Sequence, residues 1–205
     1  MVPTPANAVS GHDRLRRAEL AYEGAVGDPG SYTAITSALV EECRRAGDHE
    51  AHVVALRALG WIEHLLVGNH AARERLDLAV RLAQRHDLTR RLPELLTSRA
   101  AVNHELGRMT AAHHDLDRAL HWATRHGGEI DGVVWCQIAL QRAVLCHNQG
   151  DLAEAGRLYR ELLARRSCPT AARATRPTGP THWCLTPGPT PASRPSRCPS
   201  ATATW

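Results

Sequence analysis

The stretch PELLTSRAAVNHELGRMTAAHHDLDRALHWATRH, residues 93–126, predicts two helices joined by a short turn. Apolar and small residues recur at three- and four-residue spacing on both sides of Gly107, as in two amphipathic helices. Leu96 and Ala100 mark the inner face of the first helix, and Leu116 marks that of the second. A single hairpin of this kind cannot bury its own apolar face, so the pattern is expected to recur along the chain.

Turn glycines show that the pattern does recur. Gly68, Gly107 and Gly150 each follow a helical stripe and precede another, and they are separated by 39 and 43 residues. These intervals exceed the period of about 34 residues of a common helical-hairpin repeat, so longer helices or connections are expected. The sequence therefore predicts an all-α, right-handed solenoid (an α-α superhelix) of eight helices. Its four hairpins span about 12–47, 48–87, 88–127 and 128–166.

The first hairpin has its own boundary signals. Gly27-Asp28-Pro29-Gly30 is expected to end the first helix, and Ser31 is expected to cap the second. The second helix is predicted to bury the stripe Ile35, Ala38, Leu39 and Cys43.

Composition narrows the class of protein. The chain lacks Lys and Phe. Residues 1–166 contain 21 Arg and 21 acidic residues (Asp plus Glu), so the net charge of the repeat region is zero. A neutral region gives no reason to expect nucleic-acid binding. No signal peptide and no run of about 18 apolar residues is visible, so a cytoplasmic protein that does not enter membranes is expected. In that compartment the six cysteines are expected to be reduced.

Both ends of the chain differ from the repeats. Residues 1–11 show no periodicity, and residues 167–205 are rich in Pro, Thr and Arg without any acid. Both segments are predicted to be disordered. The abrupt change at Ser167 leaves a second hypothesis open, that the tail results from a frameshift.

Catalytic and metal-binding patterns are not found in the sequence. The thirteen histidines form no H-E-x-x-H motif and no paired C-x-x-C accompanies them, and His49 and His52 share a helix face without a thiolate. Cys146 and His147 are sequence neighbours that point apart on a helix. No enzyme activity, metal site or cofactor is expected, and the histidines are interpreted as structural or solvent-facing.

Three segments carry a resemblance to a known family: ALRALGWIEHLLVGNHAARERLDLAVRLAQRHDL (55–88), SRAAVNHELGRMTAAHHDLDRAL (98–120) and GDLAEAGRLYRELLA (150–164). They resemble tetratricopeptide repeats, and in particular the amino-terminal repeat region of CHAT-domain proteins. In those proteins a cysteine peptidase domain related to caspases and separases follows the repeats. No position of this chain matches the catalytic motif of that domain, so the resemblance implies a repeat fold and no catalytic residue.

The resemblance also implies a binding surface, because the first helices of tetratricopeptide arrays line a concave face. His64, His104 and His147 occupy equivalent places near the ends of three first helices, which would put a row of imidazoles along a groove. The other residues expected along it are Arg57, Trp61, Thr97, Glu105 and Leu140. Mixed polarity suits recognition of an extended or helical peptide. The alternative is that these are polar residues tolerated at helix ends.

Two functions remain open from the sequence. The first is a non-catalytic scaffold that binds a peptide or partner domain. The second is a truncated or frameshifted CHAT-type peptidase that keeps only its regulatory repeats. A regulator that senses a small molecule is a weaker third hypothesis. In each case the last helix has no following repeat, so Leu152, Leu158, Leu162 and Leu163 are expected to be partly exposed and to favour self-association.

Overall fold

A computed structural model of the chain describes residues 10–125 and 130–166. Over those ranges the chain forms eight α-helices and one short 3-10 turn, with no strand. The helices are α1 Gly11–Gly27, α2 Pro29–Ala46, α3 His49–Leu66, α4 Asn69–Arg85, α5 Leu92–Glu105, α6 Met109–Arg125, α7 Gly132–Asn148 and α8 Leu152–Arg166. The 3-10 turn is Thr89–Arg91. The all-α prediction is confirmed for this part of the chain. The predictions for residues 1–9 and 167–205 lie outside it.

The helices pack in a repeating relation. Consecutive helices form four pairs, α1 with α2, α3 with α4, α5 with α6 and α7 with α8. Each second helix also contacts the first helix of the next pair, and neighbouring first helices contact one another. Every pair is therefore built onto the pair before it.

The turns within the later pairs depend on glycine. Gly107 and Gly150 have φ angles of 71° and 84°, in the left-handed region that side chains disfavour. The Gly107 N–H donates to the carbonyl of His104 at 2.8 Å, which closes the end of α5. Glycine here lets the chain reverse at once into α6.

The α1–α2 connection is shorter than the sequence pattern predicted. Helix α2 begins at Pro29, and the Asp28 side chain caps it by accepting the Ser31 N–H at 3.2 Å. The prediction that Ser31 is the cap was wrong, because Asp28 is itself a strong N-cap residue and proline is favoured at the first helical position. The predicted α2 stripe was wrong for Ile35, which is 58% exposed, and for Ala38, which is also exposed. The buried face of α2 consists of Thr36, Leu39, Val40 and Cys43, because α2 packs on α1 and α3 through these residues.

Small residues bring the helices close together. Ala100, Ala112 and Ala119 are fully buried between α5 and α6, as expected for a close crossing. At Gly24 the approach is closer still, since a Cβ there would stand 2.0 Å from the ring of Tyr32 on α2. These contacts leave no volume for larger side chains at the helix crossings.

A closed ring of polar side chains joins the second pair to the third. Arg99 donates to both carboxylate oxygens of Asp115, at 2.9 and 2.5 Å, and to Asp77 at 2.8 Å. Asn103 donates to Asp115 at 2.9 Å and accepts from Arg73 at 2.6 Å, and Arg73 also pairs with Asp77 at 3.1 Å. We call these five residues the polar ring. It links α4, α5 and α6.

The last helix is only partly covered. Leu152 and Leu163 are 63% and 62% exposed, whereas Leu158 is 6% exposed. The expectation of an exposed Leu158 was wrong, because α7 and α8 contact one another and Leu158 lies on the covered side of α8. The open face of α8 therefore carries Leu152 and Leu163.

Candidate functional site

Arg57 on α3 is the centre of the surface that the sequence analysis selected. Its guanidinium donates to Ser98 at 2.9 Å and Glu94 at 3.1 Å, both on α5, and to Gln137 on α7 at 3.4 Å. It also lies 3.8 Å from the ring centroid of Tyr22 on α1, a cation–π geometry. Arg57 thus contacts the three other first helices, α1, α5 and α7, and is only 5% exposed.

Two further residues of the expected groove are also buried. Trp61 is 8% exposed and belongs to a cluster with Ile62 and Ala101. Thr97 is 5% exposed, and its hydroxyl donates to the carbonyl of Pro93 at 2.7 Å within its own helix. At the level of these residues the space between the first helices is filled by the chain itself.

The three histidines lie beyond that filled layer, in the last turns of α3, α5 and α7. His64 packs against Trp61 with ring centroids 5.1 Å apart, and its Nδ1 lies 2.5 Å from the Asn69 side-chain oxygen. His104 follows Ala101, which shares the Trp61 cluster, by one helical turn. His64 and His104 thus extend from the same buried contact.

His104 also links its helix to the next pair. The Asn148 amide at the end of α7 donates to His104 Nε2 at 2.9 Å. With Nε2 accepting, His104 carries its proton on Nδ1, 3.6 Å from the Glu105 carboxylate. Glu105 and His147 are exposed, and Leu140 is half-buried one turn after Gln137. The structure therefore places the ends of α5 and α7 side by side.

Sequence reasoning missed an apolar segment at the same ends. Leu65, Leu66 and Val67 close α3 and are 46%, 54% and 73% exposed. The signal was present as three consecutive aliphatic residues directly before the turn at Gly68. Asn148 was missed because its role depends on a neighbour 44 residues away. We call His64, Leu65, Leu66, Val67, His104, Glu105, His147 and Asn148 the helix-end surface.

Two of the cysteines in residues 10–125 and 130–166 have a thiol whose ionisation is affected by burial. Burial, followed by the charges of Asp48 and Glu42, raises the pKa of the Cys43 thiol to about 11, and burial also raises the pKa of Cys146. A raised pKa leaves less of the reactive thiolate at neutral pH. Within residues 10–125 and 130–166 no three His, Cys, Asp or Glu side chains are grouped so that they could hold a metal ion.

Comparison with protein-family models, curated proteins and solved structures gives no match for this chain. The resemblance to tetratricopeptide repeats and to CHAT-domain proteins therefore remains a prediction. In the part of the chain that the structure describes, none of the helices has the length and apolar character needed to cross a bilayer.

Proposed function

We propose that the chain is a tetratricopeptide-like repeat scaffold, without catalytic activity, that binds a peptide segment of a partner protein along the helix-end surface. The observation that carries the proposal is that the ends of successive first helices expose both apolar and polar groups, Leu65, Leu66 and Val67 on α3, Glu105 on α5, and His147 and Asn148 on α7. A repeat array offers the same helix position once per repeat, which suits a ligand that extends across several repeats.

The chemistry of the surface indicates what the peptide would offer. Leu65, Leu66 and Val67 would bury apolar side chains, which is where most of the binding free energy of a peptide arises. The exposed His147 imidazole and Glu105 carboxylate would form hydrogen bonds that fix its position. Recognition by apolar anchors with a few polar contacts is a common mode of peptide binding.

Arg57, Trp61 and Thr97 have a supporting role in this proposal. Because all three are buried, and Arg57 and Trp61 contact several helices, replacing them would disturb the fold as well as any bound peptide. They hold the first helices at the spacing that the helix-end surface needs. The binding test therefore has to use the exposed members of the surface.

A peptide selection followed by matched variants tests the proposal. The full chain is used to select from a displayed library of random peptides, and the affinity of enriched peptides is measured by fluorescence anisotropy. The triple variant Leu66→Ala, Val67→Ala and His147→Ala changes exposed members of the surface and is expected to bind about tenfold more weakly, a change of about 1.4 kcal/mol.

The control is His114→Ala, which removes an exposed imidazole from α6, the second helix of the third pair. It is expected to bind the selected peptides as the unchanged chain does. If the triple variant keeps its affinity within about twofold, or if His114→Ala loses as much, the helix-end surface is not the binding site. Circular dichroism melting curves of all variants separate lost binding from lost folding.

A further inference from the structure

A second surface feature lies on the other side of the fold, in a cleft between α2 and α4. The cleft has a volume of about 520 Å³, within the range of small-ligand sites. Its lining residues are Arg44, His49, His52, Leu78, Leu82, Arg85 and His86. The lining thus combines two arginines and three histidines with an aliphatic wall and includes no carboxylate.

The lining comes together from three separate places in the chain. Arg44 lies in the last turn of α2, His49 and His52 in the first turn of α3, and Arg85 and His86 at the end of α4. The His49 and His86 rings stack with centroids 3.5 Å apart and planes at 11°. Stacking at this distance places the two imidazoles side by side at the edge of the cleft.

No carboxylate is among the residues that line the cleft, so the positive charge of the two arginines is not balanced by an acid in the lining. Glu41 pairs with Arg44 at 2.9 Å, and both side chains are largely exposed. Burial, then the charge of His49, lowers the pKa of His52, while desolvation, again followed by His49, lowers that of His86. The groups with charge near these two rings are Glu41, Arg44, His49 and Arg85, of which only Glu41 is an acid. The cleft therefore holds an excess of positive and protonatable groups.

We propose that this cleft binds a small organic phosphate, with its phosphate among Arg44, Arg85 and the three imidazoles and its apolar part against Leu78 and Leu82. Arginine is suited to phosphate because its N–H groups match the phosphate oxygens. The bound dianion would balance the cationic cluster and favour protonation of His52 and His86. The aliphatic wall makes an apolar substituent part of the recognised ligand.

Calorimetric titration of the full chain with three probes tests the proposal. Phenyl phosphate carries both recognised parts, inorganic phosphate carries only the anion, and 2-phenylethanol carries only the apolar part. Phenyl phosphate is expected to bind about tenfold more tightly than inorganic phosphate, and 2-phenylethanol is expected not to bind at millimolar concentration. Three results would each overturn the proposal. They are equal affinity for the two phosphates, binding of the alcohol as strong as that of phenyl phosphate, and no binding of phenyl phosphate.

Matched variants locate the binding. Arg85→Gln is expected to weaken phenyl phosphate binding about tenfold, because it removes a permanent charge from the cleft. Arg108→Gln makes the same change of net charge at an exposed position in the α5–α6 turn and is expected to leave binding unchanged. Equal effects of the two variants would mean that the protein's overall charge, and not the cleft, attracts the anion.

The pH dependence gives an independent readout. Because binding favours the protonated imidazoles, affinity is expected to rise as the pH is lowered from about 8 to about 6.5, with proton uptake visible as a dependence on buffer ionisation enthalpy. The triple change His49→Gln, His52→Gln and His86→Gln should remove that dependence. A pH dependence that persists in the triple variant would contradict a role for the imidazoles of the cleft.

Discussion

Removing the Asp115 carboxylate is expected to break the polar ring and to destabilise the fold strongly. The Asp115 side chain is 3% exposed and accepts three hydrogen bonds, two from Arg99 and one from Asn103. In Asp115→Ala the Arg99 guanidinium keeps Asp77 as its only ring partner, while the Asn103 amide loses its acceptor. The lost bonds leave buried donors unsatisfied, which costs more than the bonds contributed.

The magnitude follows from the burial of the partners. Removing one member of a buried ion pair costs about 3–5 kcal/mol. Arg99 retains one carboxylate and is 13% exposed, so the low end of that range, about 3 kcal/mol, is expected. With a urea dependence of about 2 kcal/mol per molar, the unfolding midpoint should fall by about 1.5 M. The assay is urea unfolding followed by circular dichroism and by tryptophan fluorescence.

Asp117 provides the matched control, two residues further along α6. It also pairs with an arginine, Arg142, but its side chain is 68% exposed. Exposed pairs contribute about 0–1 kcal/mol, and alanine is the better helix former, so Asp117→Ala should change the stability by about 0.5 kcal/mol or less. If Asp115→Ala costs no more than Asp117→Ala, the polar ring does not hold the second and third pairs together.

Three further predictions concern other parts of the fold. Replacing Arg57 with Met keeps much of the side-chain volume but removes the hydrogen bonds to α5 and α7. Thermal unfolding should then show that the free energy of unfolding falls by about 1–3 kcal/mol. An unchanged melting temperature would show that Arg57 does not hold these helices together. Because the pKa values of His52 and His86 are lowered in the folded protein, the unfolded chain binds more protons below about pH 6.5. Stability should therefore fall as the pH drops from about 7 to about 5.5, and it should fall less steeply in His86→Gln. If the urea midpoint changes equally with pH in the unchanged chain and in His86→Gln, the prediction is contradicted. Gly24→Ala should lower the melting temperature, because the added Cβ would stand 2.0 Å from the Tyr32 ring. Gly156→Ala has open space around it and should raise the melting temperature, because alanine reduces the entropy of the unfolded chain. A higher melting temperature in both variants would show that the Tyr32 ring moves away freely.

The helices could be predicted from the sequence because their signals are local. Hydrophobic periodicity and the turn glycines Gly68, Gly107 and Gly150 predicted an all-helical chain, and residues 10–125 and 130–166 form eight helices. The one wrong cap, Ser31, arose where two capping residues compete within a few positions and the turn shortens to a single residue, Asp28. The buried face of α2 was mispredicted for a different reason, because it depends on how α2 packs against α1 and α3.

The candidate sites were less predictable because they depend on distant partners. Helical spacing placed Arg57 on the inner face of α3, but its burial results from acceptors that lie 37 to 80 residues away. The cationic cleft was not foreseen, because His86 follows α4 and reaches His49 only through packing of the helix pairs. A single helix pattern contains no information about such pairings.

The reach of Arg57 from α3 to Gln137 on α7 has a consequence for how the array loses its structure. In an ordinary repeat array each unit contacts only its neighbours, so the ends can fray while the middle stays intact. Here the second and fourth pairs are linked directly, across the third. Opening of α7 and α8 therefore removes a contact from the centre of the molecule. Amide hydrogens in α7 and α8 should accordingly exchange with solvent before those in α3, where Arg57 keeps its bonds to Ser98 and Glu94 after Gln137 has moved away.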